Sequence, residues 1–231
     1  MKRLAIIPAR GGSKRILRKN IKPFLGTPII SYSIEAALQS NLFETVMVST
    51  DDEEIAAIAK QYGAEVPFKR SAENSDDYAT TVDVLVEVME AYKQLEETFD
   101  YGCCIYPTAP FVNTSSLQLG YDTLTTNHFD TVFPVIPFSF PIQRAVKVNR
   151  AGKMDLFQPE YLLTRSQDLE PAFHDAGQFY WFKIDSLIKS RKLWTENTGV
   201  IKITEMEAQD IDSLVDWKLA EMKYKILKNN Q

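Results

Sequence analysis

Apolar and polar positions along the chain follow two alternating periods. Residues 4–7 (Leu-Ala-Ile-Ile), 45–49 (Thr-Val-Met-Val-Ser), 101–106 (Tyr-Gly-Cys-Cys-Ile-Tyr) and 131–135 (Thr-Val-Phe-Pro-Val) are short, mainly apolar runs. That is the pattern of strands buried on both faces. Residues 65–68 and 199–203 add two more expected strands. Between them the apolar residues recur at helical spacing. Ser33, Ile34, Ala37 and Leu38 follow Pro28; Ile55, Ile58, Ala59 and Tyr62 follow Asp51-Asp52; Val82, Leu85, Val86 and Met89 follow Thr80-Thr81; residues 115–125 make a fourth helix. Asp51-Asp52 and Thr80-Thr81, ahead of the second and third of these runs, are N-cap signals, and Gly63 is a helix stop. Strands alternating with helices through short links predict an α/β fold. Its sheet is mainly parallel and twisted, with helices on both faces and right-handed crossovers. No internal repeat or low-complexity linker interrupts the 231 residues, so residues 1–231 are expected to form one domain.

The middle third breaks this rhythm. Residues 137–145 and 164–181 are crowded with prolines and aromatics without helical periodicity. An inserted arm with substrate loops is expected at about 137–178, because long excursions of this kind are functional or form interfaces. Arg144, Lys147 and Arg165 are candidate carboxylate binders. His174-Asp175 reads either as an acid/base pair or as structural or sugar-binding residues.

Composition narrows the class. The 45% hydrophobic and 25% charged residues fit an ordinary soluble globular protein, and the net charge of −5 argues against a general nucleic-acid binder. Cys103 and Cys104 are adjacent in a strand and so point to opposite faces, which suits two packed thiols rather than a disulfide or a metal site. No signal-peptide pattern and no apolar run of spanning length is present, so a cytoplasmic chain without a membrane partner is expected.

Candidate chemistry concentrates after the first strand. The loop carries Arg10, Gly11, Gly12, Ser13, Lys14 and Arg15, then Arg18, Lys19, Asn20 and Lys22. Glycines let backbone approach a ligand closely, and loop N–H groups with Lys and Arg form a concave anion site. The loop has neither the Walker order nor Gly-x-Gly-x-x-Gly. It reads as a polyphosphate cradle or as a solvated basic turn. Near the other end, Asp210 and Asp212 flank Ile211 and share one face of an extended segment. Two carboxylates so placed either hold a cation, as Mg²⁺ sites do with substrate phosphates, or cap the helix that contains Asp216.

These motifs carry a resemblance. Residues 7–16 (Ile-Pro-Ala-Arg-Gly-Gly-Ser-Lys-Arg-Ile) with residues 18–23 (Arg-Lys-Asn-Ile-Lys-Pro) resemble the opening of the CMP-sugar-acid synthetases. These are cytidylyltransferases that activate nine-carbon 2-keto acids such as sialic acid. Residues 107–111 (Pro-Thr-Ala-Pro-Phe) are similar to that family's Pro-Thr-Ser-Pro element, but Tyr106 stands where sialic-acid enzymes usually have Gln. With residues 137–145 and 164–181, the likeness is greatest to the pseudaminic acid branch. The resemblance implies a Rossmann-like nucleotidyltransferase, CTP and a nine-carbon 2-keto sugar acid as substrates, Mg²⁺ or Mn²⁺ as cofactor, and a homodimer whose arm reaches the partner's site. It assigns Arg10, Gly11, Gly12, Ser13, Lys14, Asn20, Arg70, Asp77 and Thr80 to the nucleotide, with Arg10 and Lys14 catalytic through charge neutralisation. It assigns Tyr106, Thr108, Gln143, Arg144, Arg165, His174 and Gln178 to the sugar, and Asp210 and Asp212 to the metal. Phe138, Phe140 and Phe173 are candidates for an apolar wall against the sugar's terminal methyl. The implied activity is transfer of CMP to pseudaminic acid, for bacterial surface or flagellar glycosylation. The alternatives are N-acetylneuraminic or legionaminic acid as acceptor, or a non-catalytic nucleotide-sensing module.

Overall fold

A computed structural model describes residues 1–229. The strands are β1 (Arg3–Pro8), β2 (Pro23–Phe24), β3 (Thr27–Pro28), β4 (Thr45–Ser49), β5 (Tyr101–Ile105), β6 (Thr131–Pro137), β7 (Val146–Val148), β8 (Met154–Leu156), β9 (Phe173–Asp175), β10 (Phe179–Lys183) and β11 (Thr198–Lys202). The helices are α1 (Ile29–Ser40), α2 (Glu53–Gln61), α3 (Thr81–Gln94), α4 (Thr114–Thr126), α5 (Ile184–Ser190) and α6 (Leu214–Asn229). Seven strands make the central sheet, in the order β11-β6-β10-β5-β1-β4 with β9 paired to β6. The β1 pairings with β4 and β5 and the β6 pairing with β11 are parallel, whereas β10 and β9 run antiparallel to their neighbours.

Strand alternation sorts the core into two layers. Ala5, Ile7, Val46, Val48, Cys103 and Trp181 pack with Ile30 and Ile34 of α1 and Leu117 and Leu124 of α4. Leu4, Ile6, Met47, Cys104, Tyr180 and Phe182 pack with Leu85, Val88 and Met89 of α3 and Leu187 of α5. Both thiols are free and fully buried, one in each layer. At the β5–β10 seam, Gly102 lies opposite Phe182. A Cβ there would stand 2.4 Å from the ring, so glycine leaves the room that the phenylalanine fills. A third, smaller cluster seats α6: Trp217 and Ala220 pack with Phe24, Ile16 and Ile211.

Two expected elements differ. Residues 65–68 contribute a single bridge, Glu65 to Met47, because Pro67 has no N–H for a ladder. The end of the proline- and aromatic-rich stretch 164–181 is instead the start of the buried strand β10, inserted between β5 and β6 with Phe179 and Trp181 fully covered. Residues 138–172 leave the sheet, and within them β7 and β8 form a separate two-stranded ribbon. No helix among the described residues is long and apolar enough to cross a membrane.

Candidate active site

The β1–α1 loop is built from beneath by β4 and α2. The Ala9 N–H donates to the Ser49 carbonyl at 2.9 Å, and the Gly11 N–H donates to the Asp51 carboxylate at 2.9 Å. A side chain on Gly11 would place its Cβ 2.7 Å from an Asp52 carboxylate oxygen, so only glycine passes there, whereas Gly12 faces open space. Asp52 caps α2 by accepting the Glu54 and Ile55 N–H groups, each at 3.0 Å. It also takes the Arg18 guanidinium at 2.5 and 3.0 Å. That bidentate contact is the main reason its carboxyl is lowered to about 2. Asp51 and Asp52 thus serve as the loop's footing. Asn20 is buried and donates to the Arg10 carbonyl at 2.9 Å, closing the loop on itself.

Above this footing lies a cleft of about 610 Å³. Arg10, Ser13, Lys14, Arg15, Lys19 and Asn20 form one wall, and Asp77, Thr81, Tyr106 and Thr108 form the other. Its cations are shared between two carboxylates. Asp77 binds Lys14 and pairs with Arg10 at 3.0 Å, and Arg10 also donates to the Asp76 carbonyl. Asp212 pairs with Arg15 at 2.6 Å and Lys19 at 3.7 Å. The Lys14 hydrogen bond, then Arg10, holds the Asp77 carboxyl below its usual range. Four cations against two carboxylates leave a net positive cradle.

Three residues expected on the nucleotide are used differently. Asp77 is an anion seated on the cradle's own cations, Lys14 and Arg10. Thr80 is the N-cap of α3, exchanging hydrogen bonds with Asp83 in a capping box, and its neighbour Thr81 lines the cleft instead. Arg70 is buried, with Nε 3.0 Å from Ser49 Oγ and a second bond to the Ser49 carbonyl. Burial lowers it to about 10, and it braces β4 from outside the cleft lining.

A second cavity of about 360 Å³ shares Lys19, Tyr106 and Thr108 with the cradle and adds Asp175, Gly177, Tyr180, Gln209 and Asp210. The rings of Tyr106 and Tyr180 meet edge to face at 5.6 Å. Tyr106 and Thr108 are therefore brought together as expected, but the other sugar candidates are not. Gln178 is buried, with its amide on the Glu207 carbonyl. Gln143 donates to the Glu170 carbonyl at 2.9 Å, Arg144 to Ser166 Oγ at 3.2 Å and to the Thr164 carbonyl, and Arg165 to Asp168 at 2.8 Å. These three fold the arm onto itself, outside both cavities. His174 is exposed with its ring 4.7 Å from that of Phe138. Phe138 and Phe140 are exposed on the arm, and Phe173 lies under Lys202 at 4.5 Å, so none of the three walls the cavity. Thr81, Tyr180 and Gln209 join the site without a functional signal in the sequence, whereas Arg15, Lys19 and Asp175 come from stretches that offered one, the basic loop and the His174-Asp175 pair. Arg15 and Lys19 lay in the same basic run as Lys14, which was signal enough.

Buried Ile211 anchors the segment that carries Asp210 and Asp212 on either side of it. Among the described residues Asp210 has no ion-pair partner, and it lines the second cavity, whereas Asp212 sits on Arg15 and Lys19. No group of three or more His, Cys, Asp or Glu side chains converges among the described residues. Two carboxylate donors beside a cationic cradle fit Mg²⁺, a hard cation that completes its shell with water and substrate phosphates.

Residues 4–218 match the family model described as cytidylyltransferase. The chain is 41% identical over 226 residues to the pseudaminic acid cytidylyltransferase of Campylobacter jejuni, covering 98% of this chain and 97% of that one. It is 32% identical to the CMP-N,N'-diacetyllegionaminic acid synthase of Legionella pneumophila, covering 100% and 98%. A solved CMP:2-keto-3-deoxy-manno-octonic acid synthetase complexed with CTP superposes with a TM-score of 0.72 at 18% identity, covering 99% of this chain and all of that one, which shows a shared fold.

Proposed function

The chain belongs to the cytidylyltransferase family, and on that premise we propose that it transfers CMP from CTP to the anomeric hydroxyl of pseudaminic acid. One observation carries the reading: a cationic cradle opens directly into a polar, aromatic-lined cavity through Lys19, Tyr106 and Thr108. Triphosphate at the first and sugar acid at the second would place hydroxyl and α-phosphorus side by side. The sugar oxygen forms a bond to the α-phosphorus, the bond to the β-phosphate oxygen breaks, pyrophosphate leaves and the hydroxyl proton is released. No covalent enzyme intermediate is needed. Arg10 and Lys14 neutralise charge that grows on the leaving pyrophosphate, and fixed walls align the two reactants. Asp210 and Asp212 would hold Mg²⁺ or Mn²⁺, which when bound supplies further charge neutralisation at phosphate oxygens.

A second reading, legionaminic acid as acceptor, has the Legionella relative at 32% identity in its favour, against 41% for the pseudaminic enzyme. A nucleotide-sensing module would not require cradle lysine and paired aspartates together, and both are present. We also propose a homodimer through the arm, which exposes Phe140, Val148, Met154, Phe157 and Leu163, an apolar surface that a lone α/β body leaves wet. A cytoplasmic location, where CTP is at hand, completes the proposal. The test is pyrophosphate release: it should require CTP, a divalent cation and the sugar acid together. Release without sugar, or none with pseudaminic acid, would overturn the reading.

A further inference from the structure

Asp175 is the charged group in the cleft that neither the cradle nor the metal chemistry uses. It ends β9, antiparallel to β6, where strand alternation sends neighbouring side chains to opposite faces. His174 goes outward against Phe138, and Asp175 goes into the 360 Å³ cavity. There one carboxylate oxygen accepts the Gly177 N–H at 2.8 Å and the other accepts the Tyr180 hydroxyl. Tyr180 is itself buried and braced edge to face by Tyr106. Two donors on two oxygens fix the carboxylate in place. Such a group is a stationary hydrogen-bond acceptor, since each oxygen still has a free lone pair.

Charge then sets direction. The cavity is lined by one cation, Lys19, and by the carboxylates of Asp175 and Asp210. Lys19 is also part of the cradle wall. Resting on the reading above, we infer that Asp175 orients the sugar acid. It accepts hydrogen bonds from O–H and N–H groups at the substrate's far end and repels the substrate's carboxylate, which settles at the Lys19 end. In the ring form of a 2-keto acid the carboxylate and the nucleophilic hydroxyl sit on the same carbon. Drawing the carboxylate toward Lys19 therefore brings that hydroxyl to the cradle. An acceptor lacking donors at its far end, or carrying a second carboxylate there, is rejected.

Steady-state kinetics of the full chain with CTP, Mg²⁺ and pseudaminic acid test this with Asp175→Asn, Tyr180→Phe and the neighbour control His174→Ala. Asp175→Asn keeps the shape and removes the charge, and should raise the KM for sugar about 10- to 100-fold while the KM for CTP stays within twofold. Tyr180→Phe, which frees the carboxylate without removing it, should raise the sugar KM by about three- to tenfold, and His174→Ala should not move it. That split between the two KM values is a readout that a merely structural role would not give. A sugar KM within twofold of wild type in Asp175→Asn overturns the inference, as does a fall in kcat with an altered pH profile and unchanged sugar KM, which would make Asp175 a base. Wild-type protein that turns over no nine-carbon keto acid overturns the functional reading itself, and the inference with it.

Discussion

The two ends of the cleft are built by opposite means. The cradle comes from one continuous loop, is exposed and carries four cations answered by two carboxylates. The sugar-side cavity comes from three distant segments, around Tyr106, Asp175 to Tyr180, and Gln209 to Asp210, and its lining has one cation and two braced tyrosines. An exposed, cationic end recognises charge and suits a triphosphate. A cavity of fixed rings and hydrogen-bond acceptors recognises shape and donor pattern, and so discriminates more strongly between related ligands. Loss of one group should therefore appear in turnover at the first end and in acceptor choice at the second.

The largest effect belongs to the cradle. Lys14→Ala should fold and lose about 10²–10³ in kcat, the usual consequence of removing one preorganised charge stabiliser. Near-normal turnover in the folded variant would take Lys14 out of the mechanism. Next comes the boundary between the two ends. Asp212→Asn should raise the Mg²⁺ needed for half-maximal activity about 10- to 100-fold, because an amide keeps the shape but not the charge a hard cation requires. An unchanged metal titration, or full activity in excess chelator, would remove the aspartates from that role. The smallest change goes the other way. Asp77→Asn should tighten CTP, lowering its KM about two- to fivefold, the scale of an exposed ion pair that phosphate no longer has to displace. A weaker CTP interaction would make Asp77 a nucleotide contact after all.

The same contrast governs what the sequence discloses. The cradle was legible because its chemistry is contiguous: strand, glycines and cations follow one another within twenty residues, and only the partners Asp77 and Asp212 come from afar. Asp210 and Asp212 were legible through alternation about Ile211, which the structure keeps. Asp175 was legible only as the neighbour of His174, and its partner Tyr180 was not, because the two meet only when β9 pairs with β6 and β10 inserts beside β5. Prolines nearby made that aromatic stretch look like loop, and an antiparallel strand in a mainly parallel sheet breaks the strand–helix rhythm that exposed the others. Arg144 and Arg165 stand apart from both cavities of their own chain, because each finds hydrogen-bond partners within the arm, whose place against a second copy one chain does not show.

Whether one cleft joins CTP to a particular nine-carbon acid is decided by kcat/KM for pyrophosphate release. Pseudaminic, legionaminic and N-acetylneuraminic acids would be compared under one metal condition. A cavity closed by Tyr106 and Tyr180 leaves an unmatched hydroxyl without a partner, at about 1–3 kcal/mol for each such group, and a misplaced ring substituent disturbs the remaining bonds as well. Pseudaminic acid should therefore lead N-acetylneuraminic acid by about 10² or more. Equal values, or a preference for the neuraminic acceptor, would contradict the account.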